Sequence, residues 1–270
     1  MSTDDSFRRT YGPRALVAGA AVGLGAEYAR QLAARGLDLV LLDRDRAPLD
    51  ATVGALRAAH PVTITPVVLD LARPDLLAAL VAATRPYEIG LAVYNAAIGT
   101  VAPFLEMPPE HAATMIDVNC RGPMLFVHAL APAMVARGRG GIILMSSMSG
   151  SFGSEQLALY AATKAFDLIL AESLWAELRH HGVDVLAVQP GSTRTPGWES
   201  SQPADRPDPG VPVMEVGPVV QEALEALGRE PSIVPGEENR EGASALRALP
   251  RRQAIEIMSQ ITSALLRNDR

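Results

Sequence analysis

Tyr160 and Lys164 stand four residues apart in Leu-Tyr-Ala-Ala-Thr-Lys, inside a stretch whose pattern predicts a helix. One helical turn therefore places the phenol and the ammonium on the same face. A phenol ordinarily loses its proton near pH 10, and a neighbouring cation favours the phenolate. Lowering it by about three pH units takes about 4 kcal/mol of differential stabilisation. A phenol tuned in this way can give a proton to a carbonyl oxygen or take one from an alcohol. A second chemical feature is the run Gly19-Ala20-Ala21-Val22-Gly23-Leu24-Gly25, which follows an apolar strand-like segment and opens a helical pattern. Glycines at such a turn let backbone amides approach a pyrophosphate, and the helix N-terminus favours its negative charge. Asp43 ends the next apolar run, eighteen residues after Gly25. A carboxylate there accepts hydrogen bonds from the adenosine ribose hydroxyls and repels a 2′-phosphate, which predicts NAD(H). Arg44 leaves NADP(H) open, because a guanidinium pairs with phosphate. Asp70 closes the third apolar run, at what would be the same edge of a sheet.

The elements that must position these groups are legible as alternating patterns. Strand candidates are residues 14–19, 37–42, 62–69, 89–95, 140–146 and 183–189, with a shorter one near 232–234. Helical patterns lie between them at about 24–35, 46–59, 73–84, 110–137 and 155–181. This alternation predicts an α/β protein: a Rossmann-like, doubly wound fold with about seven mostly parallel strands and helices on both faces. One domain over 1–270 is expected, with its core at 12–236. Prolines crowd together at 196–218 (Pro196, Pro203, Pro207, Pro209, Pro212 and Pro218), which argues against a continuous helix and for a long loop. From Pro250 to about residue 267, Ala254, Ile257, Met258, Ile261 and Leu265 follow helical spacing, with Arg251, Arg252 and Arg267 near the ends. That amphipathic helix is expected to pack against the body or another subunit rather than lipid.

Composition narrows the function classes. The chain has 270 residues, is 48% hydrophobic and only 4% aromatic, and carries a net charge of −6, so no basic surface argues for nucleic acid. The single cysteine, Cys120, excludes an internal disulfide framework, fits a reducing cytoplasm and reads as a small core residue rather than a nucleophile. The polar N-terminus lacks the apolar stretch of a signal peptide, and the densest apolar run is broken by Asp38 and Asp43, so a soluble cytoplasmic protein is expected. His180 and His181 fall at a predicted helix C-terminus without companion ligands, and no metal is expected.

Six motifs in order resemble the short-chain dehydrogenase/reductase family over about residues 12–236. The glycine turn resembles TGxxxGxG, and Asp70-Leu71 resembles the adenine-contacting acidic pair. Tyr94-Asn95-Ala96-Ala97 stands where the family has Asn-Asn-Ala-Gly. Asn119 matches the helix asparagine, Ser147 lies the usual thirteen residues before Tyr160, and Pro190-Gly191-Ser192-Thr193-Arg194-Thr195 matches the turn beside the nicotinamide. The departures are Ala18 in place of threonine, which removes a hydroxyl that would brace the neighbouring turn, and Tyr94 and Ala97 on the floor of the cofactor site.

The resemblance implies an NAD(P)-dependent oxidoreductase interconverting a mainly apolar ketone and a secondary alcohol. Tyr160 would be the general acid/base and Ser147 would hold the substrate oxygen. Lys164 would tune the phenol and hold the nicotinamide ribose, and Asn119 would brace a water leading from Lys164 to solvent. The cofactor would lie against Gly19, Gly23, Leu24, Gly25, Asp43, Arg44, Asp70, Leu71, Asn95, Ala96, Ala97, Pro190, Gly191, Thr193 and Thr195, besides Tyr160 and Lys164. Ser146 is the rival serine, but alternation in an extended segment points it the other way. The segment after Thr195 would form a substrate lid, with Trp198 and Met214 as apolar contacts. Smaller similarities point to reductases related to 3-oxoacyl-thioester and 17β-hydroxysteroid enzymes, and family habit implies a homodimer or homotetramer. Two other readings fit the motifs: a catalytically silent dinucleotide sensor, and an epimerase that retains its cofactor.

Overall fold

Seven of the apolar runs form one sheet: β1 (Arg14–Ala18), β2 (Asp38–Asp43), β3 (Ile64–Val68), β4 (Ile89–Tyr94), β5 (Gly140–Met145), β6 (Val183–Val188) and the short β9 (Ser232–Ile233). Their order across the sheet is β3-β2-β1-β4-β5-β6-β9, and every neighbouring pair is parallel. The computed structural model describes residues 3–200 and 211–266. Parallel neighbours need crossovers, supplied by α2 (Gly23–Ala34), α3 (Arg46–Ala59), α4 (Leu76–Thr84), α5 and α6 (Pro109–Ile116 and Gly122–Arg137), α7 (Ala158–Leu178) and α9 (Val216–Ala226).

These helices cover both faces of the sheet. On one face Tyr28, Leu32, Leu49 and Val220 pack on Leu39, Leu41 and Val93. On the other, Leu76, Leu80, Phe126 and Leu130 pack on Leu16, Val40 and Ala92. Every residue of β4 and β5 is buried, which explains why the central strands read as continuous apolar runs.

The predicted helix over 110–137 is interrupted. A π-helical turn at Asp117–Arg121 separates α5 from α6. Two residues account for the break. Pro123, at the start of α6, has no N–H to return to the Asn119 carbonyl one turn back. Tyr94 Oη donates to the neighbouring Val118 carbonyl at 2.6 Å, and its ring meets Phe126 edge-on at 5.2 Å. Gly122 makes room for this strut, since a Cβ there would collide with the Tyr94 hydroxyl. Tyr94 is thus a buried brace beneath the π turn, not a floor residue of the cofactor cleft as its motif position implies.

Other elements lie where no pattern was assigned. The polar N-terminus forms α1 (Thr3–Tyr11). The proline-rich stretch is not one loop: β7 (Thr193–Arg194) pairs with β8 (Met214–Glu215), α8 occupies Pro196–Ser200, and α9 begins at Val216. Pro218 sits in the first turn of α9, where its missing N–H costs no helical bond. Pro203, Pro207 and Pro209 of the expected lid, and Arg267 of the tail, lie outside the described residues. α10 (Glu237–Ala248) precedes the C-terminal helix α11 (Arg251–Leu266). Ala254 and Met258 bury against Phe152 and Leu246 with Ile261 alongside, whereas Ile257 faces outward; the buried face is rotated from the expected one.

Replacing Tyr94 by Phe removes the hydroxyl and leaves the Val118 carbonyl without that donor in a buried setting. The expected cost is about 1–3 kcal/mol of folding stability, measured as a lower urea midpoint at unchanged slope.

Candidate active site

In a parallel sheet every strand delivers its following turn to the same edge, and the predicted site residues gather there. The turn after β1 is tight: a Cβ on Gly19 would lie 2.7 Å from the Ala96 backbone, and one on Gly25 would strike the Gly19 carbonyl. Gly19 and Gly23 have φ of 77° and 59°, the region that favours glycine. No side chain caps the N-terminus of α2. Its first amides are available to an anion such as a pyrophosphate, so the residues present fit a dinucleotide.

This turn forms one wall of a cleft of about 370 Å³. Gly19, Gly23 and Leu24 line it from the turn, with Asp43 and Arg44 at the end of β2. Asp70 and Leu71 follow β3, Asn95, Ala96 and Ala97 follow β4, and Thr195 closes the far side. Asp43 accepts from the Ala21 amide at 2.9 Å and the Asp45 amide at 3.2 Å, so it also fixes the glycine turn. Arg44 lies half out of the cleft, 3.5 Å from Asp45. The turn after β4 is held to β1 by backbone: the Ala18 carbonyl accepts from the Asn95 and Ala96 amides, each at 3.0 Å. Asn95 Nδ2 adds a bond to the Gly19 carbonyl at 2.9 Å.

Behind the cleft lies the predicted proton-transfer group. Tyr160 and Lys164 occupy one face of α7, with the Lys164 Nζ 6.0 Å from the Tyr160 ring centroid. The lysine is buried, and its ammonium donates to the Met145 carbonyl at 2.7 Å and to Asp167 Oδ2 at 2.9 Å. Burial pushes the Lys164 ammonium down, but the Asp167 charge, followed by Tyr160, more than reverses this and the net direction is upward. Asn119, carried by the π turn and fully buried, accepts from the Ile98 amide at 2.8 Å. It donates to the Ile98 carbonyl at 2.9 Å and to Thr163 Oγ1 at 3.0 Å. It therefore locks the segment after β4 onto α7.

The two serines after β5 divide as alternation predicts. Ser146 is buried and donates to the Lys164 carbonyl at 2.6 Å. Ser147 lines a second cavity, of about 330 Å³, together with Tyr160. Pro190, Gly191 and Trp198 also line it, and Thr193 is buried beneath, donating to the Gly191 carbonyl at 3.0 Å. Met214, expected as a lid contact, instead accepts from Asn239 Nδ2 through its sulfur at 3.3 Å and does not line this cavity. His180 and His181 are exposed in a short turn after α7.

Sequence reasoning missed the far wall. Leu246 of α10 and Met258, Ile261 and Thr262 of α11 close the cavity, and Glu238 supplies the one acidic side chain in the lining among the described residues. The amphipathic pattern of α11 was visible, but nothing in it says which surface it covers. Asp167 was also missed, although an acid three residues after Lys164 shares its helical face.

Residues 13–206 match the family model described as short chain dehydrogenase. The chain belongs to the short-chain dehydrogenase/reductase family. It is an NAD(P)-dependent oxidoreductase acting on CH–OH/C=O groups. A 7beta-hydroxysteroid dehydrogenase from Collinsella aerofaciens is 30% identical over 238 residues, 87% of this chain and 90% of that protein. A solved structure from work on 7beta-hydroxysteroid dehydrogenase stereoselectivity has a TM-score of 0.86 at 29% identity, covering 93% of this chain and 98% of the other. A short-chain dehydrogenase from Sphingobium yanoikuyae in complex with NADPH has a TM-score of 0.76 at 32% identity, over 87% and 94% of the two chains.

Cys120, on the π turn, is half-buried, and burial followed by the Asp167 charge pushes its thiol up to about 11. A raised value means less thiolate at neutral pH. Alkylation by iodoacetamide at pH 8 is expected to run roughly a hundredfold slower than for a free cysteine, whose value is about 8.5. Its rate should go on rising about tenfold per pH unit beyond the point where that of a free cysteine levels off.

Proposed function

We propose that this chain interconverts a bulky, mainly apolar ketone and its secondary alcohol, with Tyr160 as general acid in reduction and general base in oxidation. The observation that carries this reading is the shared cavity: Ser147 and Tyr160 line it together with Leu157, Trp198, Leu246, Met258 and Ile261. Its volume of about 330 Å³ is in the range of small-molecule sites. The steroid activity in the relatives' names supports a substrate of steroid-like size.

In this reading Ser147 donates to the substrate oxygen and stabilises the charge that develops there. Tyr160 transfers the proton to or from the same oxygen. Lys164, by the family pattern, holds the nicotinamide ribose beside the phenol. Asn119 holds the segment at Ile98 against α7 and, by the same pattern, orders a water on the path from Lys164 to solvent. NAD(P)H, when bound, supplies the hydride. Asp43 favours NAD(H), with lone pairs left for ribose hydroxyls beyond the two amides it accepts, and Arg44 is the residue that would admit NADP(H). Family pattern also points to a homo-oligomer, and the exposed Phe166 and Ile169 on α7 support an interface there.

Absorbance of the nicotinamide cofactor during incubation with steroid ketones, bulky aryl ketones and 3-oxoacyl thioesters tests the substrate class. Turnover of bulky ketones is expected, and turnover confined to small polar polyols would overturn the reading. Tyr160→Phe should lower kcat at least about a hundredfold while leaving the cofactor's Kd near that of the native enzyme. Asp43→Ser keeps an acceptor for the Ala21 amide but removes the charge. It is expected to raise the ratio of kcat/KM for NADP over NAD about tenfold, ~1.4 kcal/mol of relieved repulsion.

A further inference from the structure

Lys164 is the only lysine in the chain; the other members of the 24 Lys+Arg residues are arginines. The cation beside Tyr160 is therefore the one place where the chain keeps a side-chain ammonium, a compact point charge that titrates when buried, whereas a guanidinium does not. An isolated ammonium as deeply buried as this one, 3% exposed, would lose its proton readily. Asp167, equally buried and one turn further along α7, is the neighbouring anion. Its Oδ2 accepts from Nζ at 2.9 Å, and its buried Oδ1 has no hydrogen-bond partner among the described residues. A buried carboxylate that leaves one oxygen unpaired is costly for stability, and no fold-level contact in the described residues repays it. Among the described residues, the one hydrogen-bond partner of its side chain is the lysine.

We propose that Asp167 is a positioning residue for the reaction: its carboxylate anchors and electrically compensates the Lys164 ammonium, so that the buried lysine stays a cation at a fixed place behind Tyr160. The proposal rests on the assignment of Tyr160 and Lys164 to proton transfer and cofactor binding. With the Met145 carbonyl and Asp167 taking two of its three N–H donors, the ammonium keeps one to direct toward the cofactor side. The titratable groups that sense the pair are Tyr160 on α7, Cys120 on the π turn and Tyr94 on β4, with Arg121 near Tyr94. Cys120 and Tyr94 are both pushed up, so each is uncharged at neutral pH and neither replaces the Asp167 charge.

The sign of the pH effect follows. Asp167 raises the pH at which Lys164 loses its proton, and burial lowers it. Without the carboxylate, burial is opposed only by Tyr160 and, more weakly, Cys120, and Lys164 becomes neutral at lower pH. Activity that needs the ammonium is then lost earlier as pH rises.

A single-lysine chain makes this directly measurable. Protein labelled with [ε-13C]lysine gives one lysine signal needing no assignment, and its titration does not depend on turnover. In the native protein without cofactor, Lys164 is expected to stay protonated to at least pH 10.4, the ordinary lysine value. In Asp167→Asn the midpoint should fall by about one pH unit or more, and Asp167→Glu should restore it. The alkaline limb of kcat/KM should move with the NMR midpoint in each variant. Coincident midpoints in native and Asp167→Asn protein would overturn the proposal, as would a shifted midpoint with an unmoved alkaline limb. A native midpoint well below 10 would also sink it, which keeps the test decisive if Asp167→Asn does not fold. Full turnover by Tyr160→Phe would instead remove the underlying assignment, while leaving the lysine titration intact.

Discussion

All strands of a parallel sheet point the same way, so every strand's carboxyl end opens on one edge. That constraint assembles the site in this protein. The glycine turn after β1, Asp43 at the end of β2, Asp70 after β3, Asn95 after β4, Ser147 after β5 and Pro190 after β6 are scattered through the chain. Their strands hydrogen-bond side by side in register, for example Leu16 between Val40 and Ala92. The burial of β4 and β5 on both faces holds that register, because a one-residue slip would move each apolar set out of its layer.

One departure from the family pattern takes on a structural task of its own. Where the motif has an asparagine, Tyr94 reaches across the layer to the π turn and supports Val118, next to Asn119. The π turn in turn lets Asn119 face inward to bond both Ile98 and Thr163. Irregular helix at a functional position is a common use of such turns.

The centre of the site carries a different kind of constraint. Lys164 and Asp167 are charges kept out of water, which disfavours folding unless each finds its partner. Ser146, the rival for the substrate role, contributes there by holding the Lys164 carbonyl from β5, so helix and strand are tied beside the lysine. The adjacent cavity is closed by α10 and α11 through Phe152, Leu246, Ala254 and Met258, a small cluster separate from the two sheet cores. The residues proposed for catalysis thus rest on the sheet, and the far wall of the cavity rests on the tail.

The strand runs, the helix over residues 46–59, the glycine turn and the Tyr160/Lys164 spacing were all legible from residue types and period, because these depend on neighbours close in the chain, whereas the order of the strands across the sheet was not. That Ser146 and Ser147 turn opposite ways was legible for the same reason: side chains alternate along an extended segment. Other features depend on contacts between residues far apart, and only the tertiary structure decided them. The break at Asp117–Arg121 needs Tyr94 from a different strand. The far wall of the cavity needs α11 to fold back on Ser154, whose hydroxyl meets Thr262 at 2.6 Å. Asp167 lay in plain view three residues after Lys164, but a carboxylate on a helix is ordinarily solvated. Local sequence encodes which residues share a face; which faces lose their water is determined by packing, and burial turns this acid and lysine into a pair.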